Sequence, residues 1–571
     1  MSVNSKQESG NSMLSRKLKY GTSSVIIVLI VLGIIAVINF LSTRHFVRAD
    51  LTENKDFTIS DSTKKVLGEL DDVVNITAYF SKNLPPYLTN IQTQVKDILD
   101  EYEAYAHGNL EVNFVDPAGD PSMEQKLRFM GIPQAQLNII EKDKAEVVNV
   151  YFGMAVMYED RKEVIPVIQN VMTLEYDLTS AIVKVKRSEE KTLCFLTGHG
   201  EYSAENYEAV RTSLGKQYMI MDVDLSEGKS VPNNVNTLIV AGPKEKISER
   251  EKYEIDQFLM RGGKIIFLID SVDLAPRSLM ATEVNTNLND MLENYGVSVG
   301  KSLVLDRASN SNASFSSGFV QYSMPYPFWP RITKRQFDQS SPMVNQLENL
   351  ILPWSAPVEL LPSKVNIEKT PKQGENQKQE VTEKPPVTQN LKGIELFHTS
   401  QYSWTKGRPF NISPQQRFVP TGDMKSYPLA VAVTGKFDSL YADKPVPEPE
   451  MPEGEETQPE PASGETLIES PETQIVVVGN ARFIANDFLG RSRANMLFIE
   501  NAVDWMTLGE DLINIRSRFV TDRPIKEISE NAKLFVRIIN ICGAALLVIA
   551  FGLVRFIFKR RAKKVYEAYS V

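Results

Sequence analysis

TLCFLTGHGE, at residues 192–201, is the clearest indication of fold in this 571-residue chain. Its first six residues are mostly apolar and predict a buried strand, and the two glycines that follow predict a tight turn. Further strands are predicted at 237–241 and 264–270, with a helix between them at 248–260. Because strands that alternate with helices form parallel sheets, residues 191–515 are predicted to be a Rossmann-like or flavodoxin-like α/β domain.

Two segments within this domain are predicted to be solvated linkers. Residues 365–390 carry almost no large apolar side chain, and residues 441–473 are acidic and rich in proline. Neither composition buries enough apolar surface to offset the entropy lost on folding. Because strand and helix patterns resume at residue 474, we expect the last part of the domain to complete the sheet that begins at residue 191.

A separate domain is predicted at residues 45–188. The segment 91–105 has apolar residues at intervals of three and four, which indicates an amphipathic helix. Strands are predicted on either side of it, at 73–80 and 110–115, and two or three more over 136–168. This order resembles a thioredoxin-like layout. The redox motif C-x-x-C is absent, so thiol–disulfide chemistry is excluded even if the fold is correct.

Two apolar segments near the chain ends are predicted to be transmembrane helices. Residues 23–41 and 538–558 are each long enough to cross the ~30 Å hydrocarbon layer of a bilayer. Basic residues precede the first segment and follow the second, which favours the cytoplasm for both termini. We therefore expect a two-pass inner-membrane protein with cytoplasmic tails at 1–22 and 559–571 and its bulk in the periplasm. Cleavage of the first segment as a signal peptide remains an alternative.

Small residues in the second apolar segment are predicted to pack against the helices of a membrane partner. Close approach of helices in a bilayer favours glycine and alanine at the contact. The residues are Gly543, Ala544, Ala545 and Gly552.

Composition and motif searches exclude several functions. A net charge of -9 and a pI near 5.4 make nucleic acid a poor partner. Cys194 and Cys542 lie in two different apolar segments, so no disulfide is expected. The motifs H-E-x-x-H and G-x-S-x-G are absent, and the four histidines are widely scattered. No metal site, cofactor or catalytic residue is predicted.

The turn Gly198-His199-Gly200-Glu201 is the main candidate for a functional site. A glycine turn at the carboxyl end of a parallel strand is a common ligand position in α/β folds, where backbone N–H groups and a helix N-terminus can meet an anion. His199 and Glu201 could instead act as an acid/base pair. The structural alternative is a tight turn in which Glu201 only complements a helix N-terminus. All three interpretations stay open at this point.

Several short motifs occur in a characteristic order between the two apolar segments. They are F-x-R-x-D-L-T at 46–52, I-S-x-x-T at 59–63, V-D-P at 115–117, L-T-G-H-G-E at 196–201, G-G-K at 262–264 and G-N-A-R-F at 479–483. In this arrangement the chain resembles the gliding-motility GldG family and its relatives, the auxiliary components of ABC-type transport systems. The resemblance covers nearly the whole chain.

That resemblance implies a non-catalytic membrane subunit that acts with a separate ABC ATPase and a polytopic permease in a gliding bacterium. The periplasmic body would contact cargo, the permease or envelope proteins of the gliding machinery. The family provides no catalytic residues to carry over. Two alternatives remain: an envelope tether without a transporter, and a periplasmic hydrolase that uses His199 and Glu201.

Overall fold

The computed structural model describes most of the chain between residues 58 and 508 and a few residues nearer the ends. The described residues are 30–31, 33–34, 58–82, 84, 86–141, 144–168, 171–187, 190–274, 279–317, 320–345, 347–368, 391–448, 465–508, 537, 551–558 and 560.

Helices and strands alternate first and are followed by many short strands. The helices are α1 (Asp61–Gly68), α2 (Pro86–Tyr105), α3 (Pro121–Met130), α4 (Val171–Lys186), α5 (Glu208–Leu214), α6 (Glu249–Met260), α7 (Asn289–Asn294), α8 (Asn486–Leu489) and α9 (Arg493–Thr507). The strands are β1 (Val74–Phe80), β2 (Leu110–Val115), β3 (Ala135–Glu141), β4 (Lys144–Val150), β5 (Phe152–Tyr158), β6 (Arg161–Ile165), β7 (Thr192–Thr197), β8 (Met219–Asp224), β9 (Val235–Ala241), β10 (Lys264–Leu268), β11 (Val272–Asp273), β12 (Met280–Glu283), β13 (Val297–Val299), β14 (Leu303–Asp306), β15 (Asn310–Ser317), β16 (Val320–Thr333), β17 (Asn349–Ile351), β18 (Val358–Leu360), β19 (Val365–Ile367), β20 (Leu391–His398), β21 (Ser403–Lys406), β22 (Phe410–Asn411), β23 (Pro428–Gly435) and β24 (Thr473–Val478).

The first part of the chain forms a four-stranded sheet in the order β2-β1-β5-β6. Strand β1 runs parallel to β2 and antiparallel to β5. On one face Leu67, Leu99 and Leu178, from α1, α2 and α4, are buried in a common core. On the other face Leu127 of α3 packs in a smaller cluster with Tyr79. Apolar side chains on both faces of β1 thus hold helices on both sides of this sheet.

The second part forms an eight-stranded sheet in the order β19-β20-β23-β24-β10-β9-β7-β8. Strand β23 runs antiparallel to both of its neighbours, and the other pairs are parallel. Successive residues of β7 face opposite cores: Leu193 and Phe195 lie in one, Cys194 and Leu196 in the other. Burial on both faces explains the continuous apolar run in this strand.

Helices cover both faces of this sheet. Val210 of α5 and Phe498 of α9 lie in one core, and Ile255 of α6 and Met291 of α7 lie in the other. The predicted helix at 248–260 is confirmed as α6, and Ser248 caps it by accepting a hydrogen bond from the Glu251 amide.

A third cluster, rich in aromatic side chains, occupies the small sheets. Tyr326, Phe328, Trp329 and Trp404 are buried together, with ring centroids of Tyr326 and Trp329 at 5.5 Å in an edge-to-face arrangement. Trp404 lies on β21, which pairs with β14, and the other three residues lie on β16, which forms a sheet with β15 and β17. Large rings packed in this way stabilise a region whose backbone pairing is short.

The two parts of the chain meet at α4 and α9. The hydroxyl of Tyr218 donates to Oδ1 of Asp504 at 2.6 Å, and the hydroxyl of Tyr176, in α4, lies 3.5 Å from Oδ2. Asp504 is fully buried. The Asp504 side chain therefore connects α4 to the second sheet.

The predicted fold class, a thioredoxin-like domain and a parallel-sheet domain between two transmembrane helices, was wrong. The chain is a mixed α/β structure with several sheets, and β23 runs against its neighbours. The apolar pattern of β23 indicates burial on both faces but carries no information on strand direction, which is why the sequence did not predict the reversal. The order of the other strands alone suggested a parallel sheet.

The transmembrane helices in that prediction are not supported either. No helix within the described residues combines the length and the apolar character needed to cross a bilayer. Most of 23–41 and 538–558 lies outside the described residues, as do Gly543, Ala544 and Ala545. Gly552 lies in the helical residues 551–558, and a Cβ built on it meets nothing within 4 Å. An apolar run makes a segment a candidate span, but its length in helix decides whether it can cross.

Parts of the two predicted linkers are packed against the second sheet. Residues 365–367 form β19, which pairs with β20. Tyr441 is buried, and its hydroxyl donates to the backbone oxygen of Glu249 at 3.0 Å. The remaining linker residues, 369–390 and 449–464, lie outside the described residues.

Candidate functional site

The candidate turn follows β7 at a point where the order of connection in the sheet reverses. Strand β8 pairs with one side of β7 and β9 with the other. In open α/β sheets such a reversal leaves a crevice at the carboxyl ends of the two central strands, where ligands commonly bind. Residues 198–201 leave β7 at this crevice, and residues 242–245 leave β9.

Backbone hydrogen bonds close this crevice. The carbonyl oxygen of His199 accepts from the amides of Lys244 at 2.8 Å and Glu245 at 2.9 Å. Gly200 has a φ of 68° and Gly242 a φ of 67°, conformations that glycine adopts without strain. The two loops after β7 and β9 are therefore bonded to each other at the position where a ligand would otherwise enter.

The imidazole of His199 is held between two carboxylates. Its Nδ1 lies 3.2 Å from Oε1 of Glu201, and its Nε2 lies 3.1 Å from Oε2 of Glu251. The His199 side chain is 6% exposed. Glu201 also accepts the His199 amide at 2.7 Å, and Glu251 accepts the amide of Ser248 at 2.8 Å. Both ring nitrogens thus have a partner, and both carboxylates are bonded to backbone as well.

This arrangement shifts the pKa values of His199 and Glu251. Burial alone would lower the pKa of His199, but hydrogen bonds and charge interactions with Glu201 and Glu251 outweigh it and raise the pKa to about 10. Burial alone would raise the pKa of Glu251, but hydrogen bonds from His199 and Ser248 lower it to about 2. Near neutral pH the group is an imidazolium between carboxylates.

These charges decide what the turn can do chemically. A general base has to accept a proton from its substrate, and an imidazole that is already protonated cannot do so. Bonded on both sides and buried, His199 instead links the turn after β7 to the first turn of α6. Of the interpretations open from the sequence, the geometry favours the structural one for His199.

Two features of the structure count against an anion site at this turn. Helix α5 begins only at Glu208, seven residues after Glu201, and it has no side-chain cap. A cleft of about 220 Å³ lies beside the turn and includes Gly198, Gly200 and Arg211 in its lining. The guanidinium of Arg211 is paired with Asp222, Nη1 to Oδ1, at 2.7 Å. The one arginine in the lining is therefore already neutralised.

Asp270 is a second buried acid at this edge, and it was missed from the sequence. It follows β10, and its Oδ1 accepts from the amide of Ala481 at 2.8 Å and from Nδ2 of Asn480 at 3.1 Å. Its Oδ2 accepts from the hydroxyl of Tyr202 at 3.3 Å. Burial raises the pKa of Asp270 to about 6, although the bonds from Ala481 and Tyr202 oppose the shift. The carboxyl group joins the ends of β10 and β24 to the segment after the candidate turn.

The motif G-N-A-R-F at 479–483 is explained by this bonding. Nδ2 of Asn480 also donates to the backbone oxygen of Pro353 at 2.6 Å, and its Oδ1 accepts from the backbone amide of Phe483 at 2.8 Å. A Cβ on Gly479 would lie 2.1 Å from the oxygen of Ala356. Glycine is therefore required for the close approach of two backbone segments. The sequence signal for this bonding was a polar residue, Asn480, two positions after the apolar strand β24.

The remaining candidate residues are not brought together. Within the described part of the chain no group of His, Cys, Asp or Glu side chains is arranged to hold a metal ion. His398 bonds to Ser426, and His107 lies in a turn with a φ of 52°. Cys194 is buried in β7, where burial raises the pKa of its thiol to about 12. A buried thiol with a raised pKa contributes to core packing and does not act as a nucleophile.

Comparison with known proteins identifies relatives of the chain. A family described as an ABC-type uncharacterized transport system matches residues 190–372 and 380–507, and a domain of unknown function matches residues 53–157. An uncharacterized protein of Borreliella burgdorferi is 25% identical over 529 residues, which cover 90% of this chain and 94% of the relative.

Two solved structures show only low similarity. The mmIFT52 N-terminal domain is 14% identical, with a TM-score of 0.31, and the match covers 56% of this chain and 98% of that one. The exo-β-1,4-mannosidase Op5Man5 of an Opitutaceae bacterium is 8% identical, with a TM-score of 0.19, and covers 76% and 50%. Neither TM-score is high enough to indicate a shared fold.

The family match includes the second sheet, the turn at 198–201 and the Asp270 cluster, and it takes in more than half of the chain. The protein therefore belongs to the auxiliary family of ABC-type transport systems.

Proposed function

We propose that this protein is a non-catalytic auxiliary subunit of an ABC transporter, of the kind found in gliding-motility systems, and that it works with a separate ATPase and permease. Family membership supports the transporter role. The observation that carries the non-catalytic part is the position of His199 between Glu201 and Glu251, because it leaves no ring nitrogen to take up a substrate proton. The hydrolase alternative loses its acid/base pair on the same ground.

The proposed role of the candidate edge is to present a contact surface on a fixed support. Residues 203–206, directly after the turn, are exposed. The turn that precedes them is hydrogen-bonded to the loop after β9 and, through His199, is linked to α6. A loop held in this way loses little conformational entropy when a partner binds, which favours affinity. Cargo, the permease or an envelope protein of the gliding machinery would bind at this surface.

Affinity purification of the full chain from its own cells in mild detergent tests the transporter role. We expect an ATPase and a permease to co-purify. The variant Ala204→Arg adds a charge and bulk to the exposed loop and should reduce their recovery. Lys392→Met, on an exposed lysine of β20 whose side chain is 67% exposed, serves as the control and should recover both subunits normally.

Two results would contradict the proposal. Recovery of envelope proteins with neither transporter subunit would support the tether alternative instead. Equal recovery of both subunits with Ala204→Arg would keep the transporter role but remove the proposed contact at residues 203–206.

A further inference from the structure

A cavity of about 280 Å³ lies at the edge of the second sheet opposite the candidate turn. It is formed at the amino ends of β7, β9 and β10, and three of its lining residues are basic: Lys191, Arg261 and Lys264. Asn236 and Gly263 also line it. This volume lies just under the ~300–1,000 Å³ that is usual for drug-sized ligands, so the cavity suits a small molecule or a single chemical group.

The positive charge in this cavity has no acidic partner among the described residues. No carboxylate lines the cavity, and none of the three basic side chains forms an ion pair within the part of the chain that the structure describes. Glu254, the acid that interacts with Arg261 at longer range, is already paired with Arg250 at 2.8 Å. The protein as a whole carries a net charge of -9, so this concentration of positive charge is a local feature.

Two of the basic groups also act on each other. Burial and the positive charge of Lys191 both lower the pKa of Lys264. Like charges held close together cost free energy, since each disfavours the charged form of the other. Arrangements that are unfavourable in the free protein are typical of binding sites, where the ligand supplies the missing partner.

Nearby helix ends offset only part of this positive charge. Helix α6 ends at Met260 and α9 at Thr507, beside the cavity, and each C-terminus contributes roughly half a negative charge. Together they offset about one of the three positive charges. One N–H of Arg261 donates to the oxygen of Val231 at 3.0 Å, which orients the guanidinium but does not neutralise it. Counted over the described residues alone, about two positive charges are left without a partner.

We propose that this cavity binds an anionic phosphoryl group, held by Lys191, Arg261 and Lys264. The planar guanidinium offers paired N–H donors that match phosphate oxygens, and the two ammonium groups act as point charges. Oδ1 of Asn236 accepts a hydrogen bond from the backbone amide of Thr192 at 2.9 Å. The NH₂ group of Asn236 is therefore a further donor for the ligand. The site is separate from the candidate turn, and its existence does not depend on the proposed transporter role.

A phosphoryl group can arrive on a soluble molecule or on a lipid headgroup, and two experimental arms separate these sources. In the first, inorganic phosphate and pyrophosphate are titrated into the full chain at constant ionic strength, and the melting temperature is recorded. In the second, the chain is floated with phosphatidylcholine vesicles that contain or lack phosphatidic acid. We expect a saturable response in at least one arm, since a ligand of the folded state raises its stability.

The variant Lys264→Met removes one charge and keeps the length of the side chain. We expect about ten- to a hundredfold weaker binding, the range for loss of one charged hydrogen bond. Its melting temperature without ligand should equal or exceed that of the wild type, because repulsion from Lys191 is gone. Lys191→Met is a second variant with the same expectation, and Lys392→Met is the matched control, which should bind normally.

The results of the titration and the flotation either support or overturn the proposed phosphoryl site. A response to soluble phosphate or to phosphatidic acid that Lys264→Met or Lys191→Met weakens supports the site and names its source. No saturable response in either arm would overturn it. So would equal binding by both variants, or a large loss of stability in both without ligand, because the lysines would then be structural.

Discussion

Oε2 of Glu251 lies 3.1 Å from Nε2 of His199, so one carboxylate both caps α6 and binds the turn after β7. The hydrogen bond from the amide of Ser248 fixes the position of this carboxylate independently of His199. The imidazolium then bridges this oxygen and Glu201. The turn at 198–201 is therefore a cross-link between β7 of the second sheet and the helix α6 that packs on that sheet.

Replacing His199 by glutamine should destabilise the protein without affecting any catalytic step. The variant leaves Glu201 and Glu251 buried without their cation, and breaking a buried ion pair from one side costs about 3–5 kcal/mol. Urea denaturation of the full chain measures the loss. His107→Asn, at an exposed turn whose left-handed φ asparagine tolerates, is the control and should change stability by less than about 0.5 kcal/mol. A loss below about 1 kcal/mol in His199→Gln would contradict the cross-link.

The same group should make stability depend on pH in a defined way. The pKa of His199 is raised from 6.5 to about 10, so its contribution is complete below pH 6.5 and is lost as the pH rises towards about 10. The pKa of Glu251 is lowered from 4.5 to about 2, so its contribution is complete above pH 4.5 and is lost towards pH 2. Between pH 6.5 and 10 the unfolding free energy of the wild type should fall more steeply than that of His199→Gln. Parallel curves for the two proteins would show that His199 does not titrate as described.

Gly479→Ala should be strongly destabilising. The added Cβ would lie 2.1 Å from the backbone oxygen of Ala356, so one of two bonded backbone segments has to move. Overpacking of this kind costs about 1–3 kcal/mol or more. Gly490→Ala is the matched control, since a Cβ there meets nothing within 4 Å. Thermal unfolding measures both variants, and Gly479→Ala should have the lower melting temperature. Equal melting temperatures would mean that the approach of Gly479 to Ala356 is not tight.

Asp504→Asn should make the protein less sensitive to pH. Burial and the nearby charge of Glu500 raise the pKa of Asp504 from 3.8 to about 8, although the hydrogen bond from Tyr218 opposes them. A carboxyl group with a raised pKa binds its proton more tightly in the folded state, so stability falls as the pH rises from 3.8 to about 8. Asparagine can still accept the Tyr218 hydroxyl but does not ionise. If the variant lost as much stability across this range as the wild type, Asp504 would not be the group responsible.

The sequence was informative where a signal is local. The helix predicted at 248–260 agrees with α6 to within one residue, and both partners of its cap, Ser248 and Glu251, lie within one turn. The apolar run at β7 predicted a strand buried on both faces. The transport-system family was also indicated by the order of short motifs, and the family match now shows it.

The bonds within the candidate site could not be predicted from the sequence, because the residues that form them lie far apart in the chain. Glu251 lies 52 positions after His199, and nothing in either local pattern links them. Asp270 and Asn480, which share a hydrogen bond, are separated by 210 positions. In β16 the prolines at 325, 327 and 330 locally disfavour strand pairing, yet the strand pairs with β15 and β17. Tertiary packing, including the aromatic cluster around Tyr326, overrides the local preference.

The pairing of Ile265 in β10 with Ile475 in β24 has a consequence for biosynthesis. The middle of the second sheet remains open until the ribosome has produced more than two hundred further residues. During that time β10 offers an unpaired apolar edge, the kind of surface that chaperones recognise and that aggregates when left bare. Newly made chains should therefore need protection while translation continues, and truncation before residue 473 should yield insoluble product rather than a smaller folded fragment.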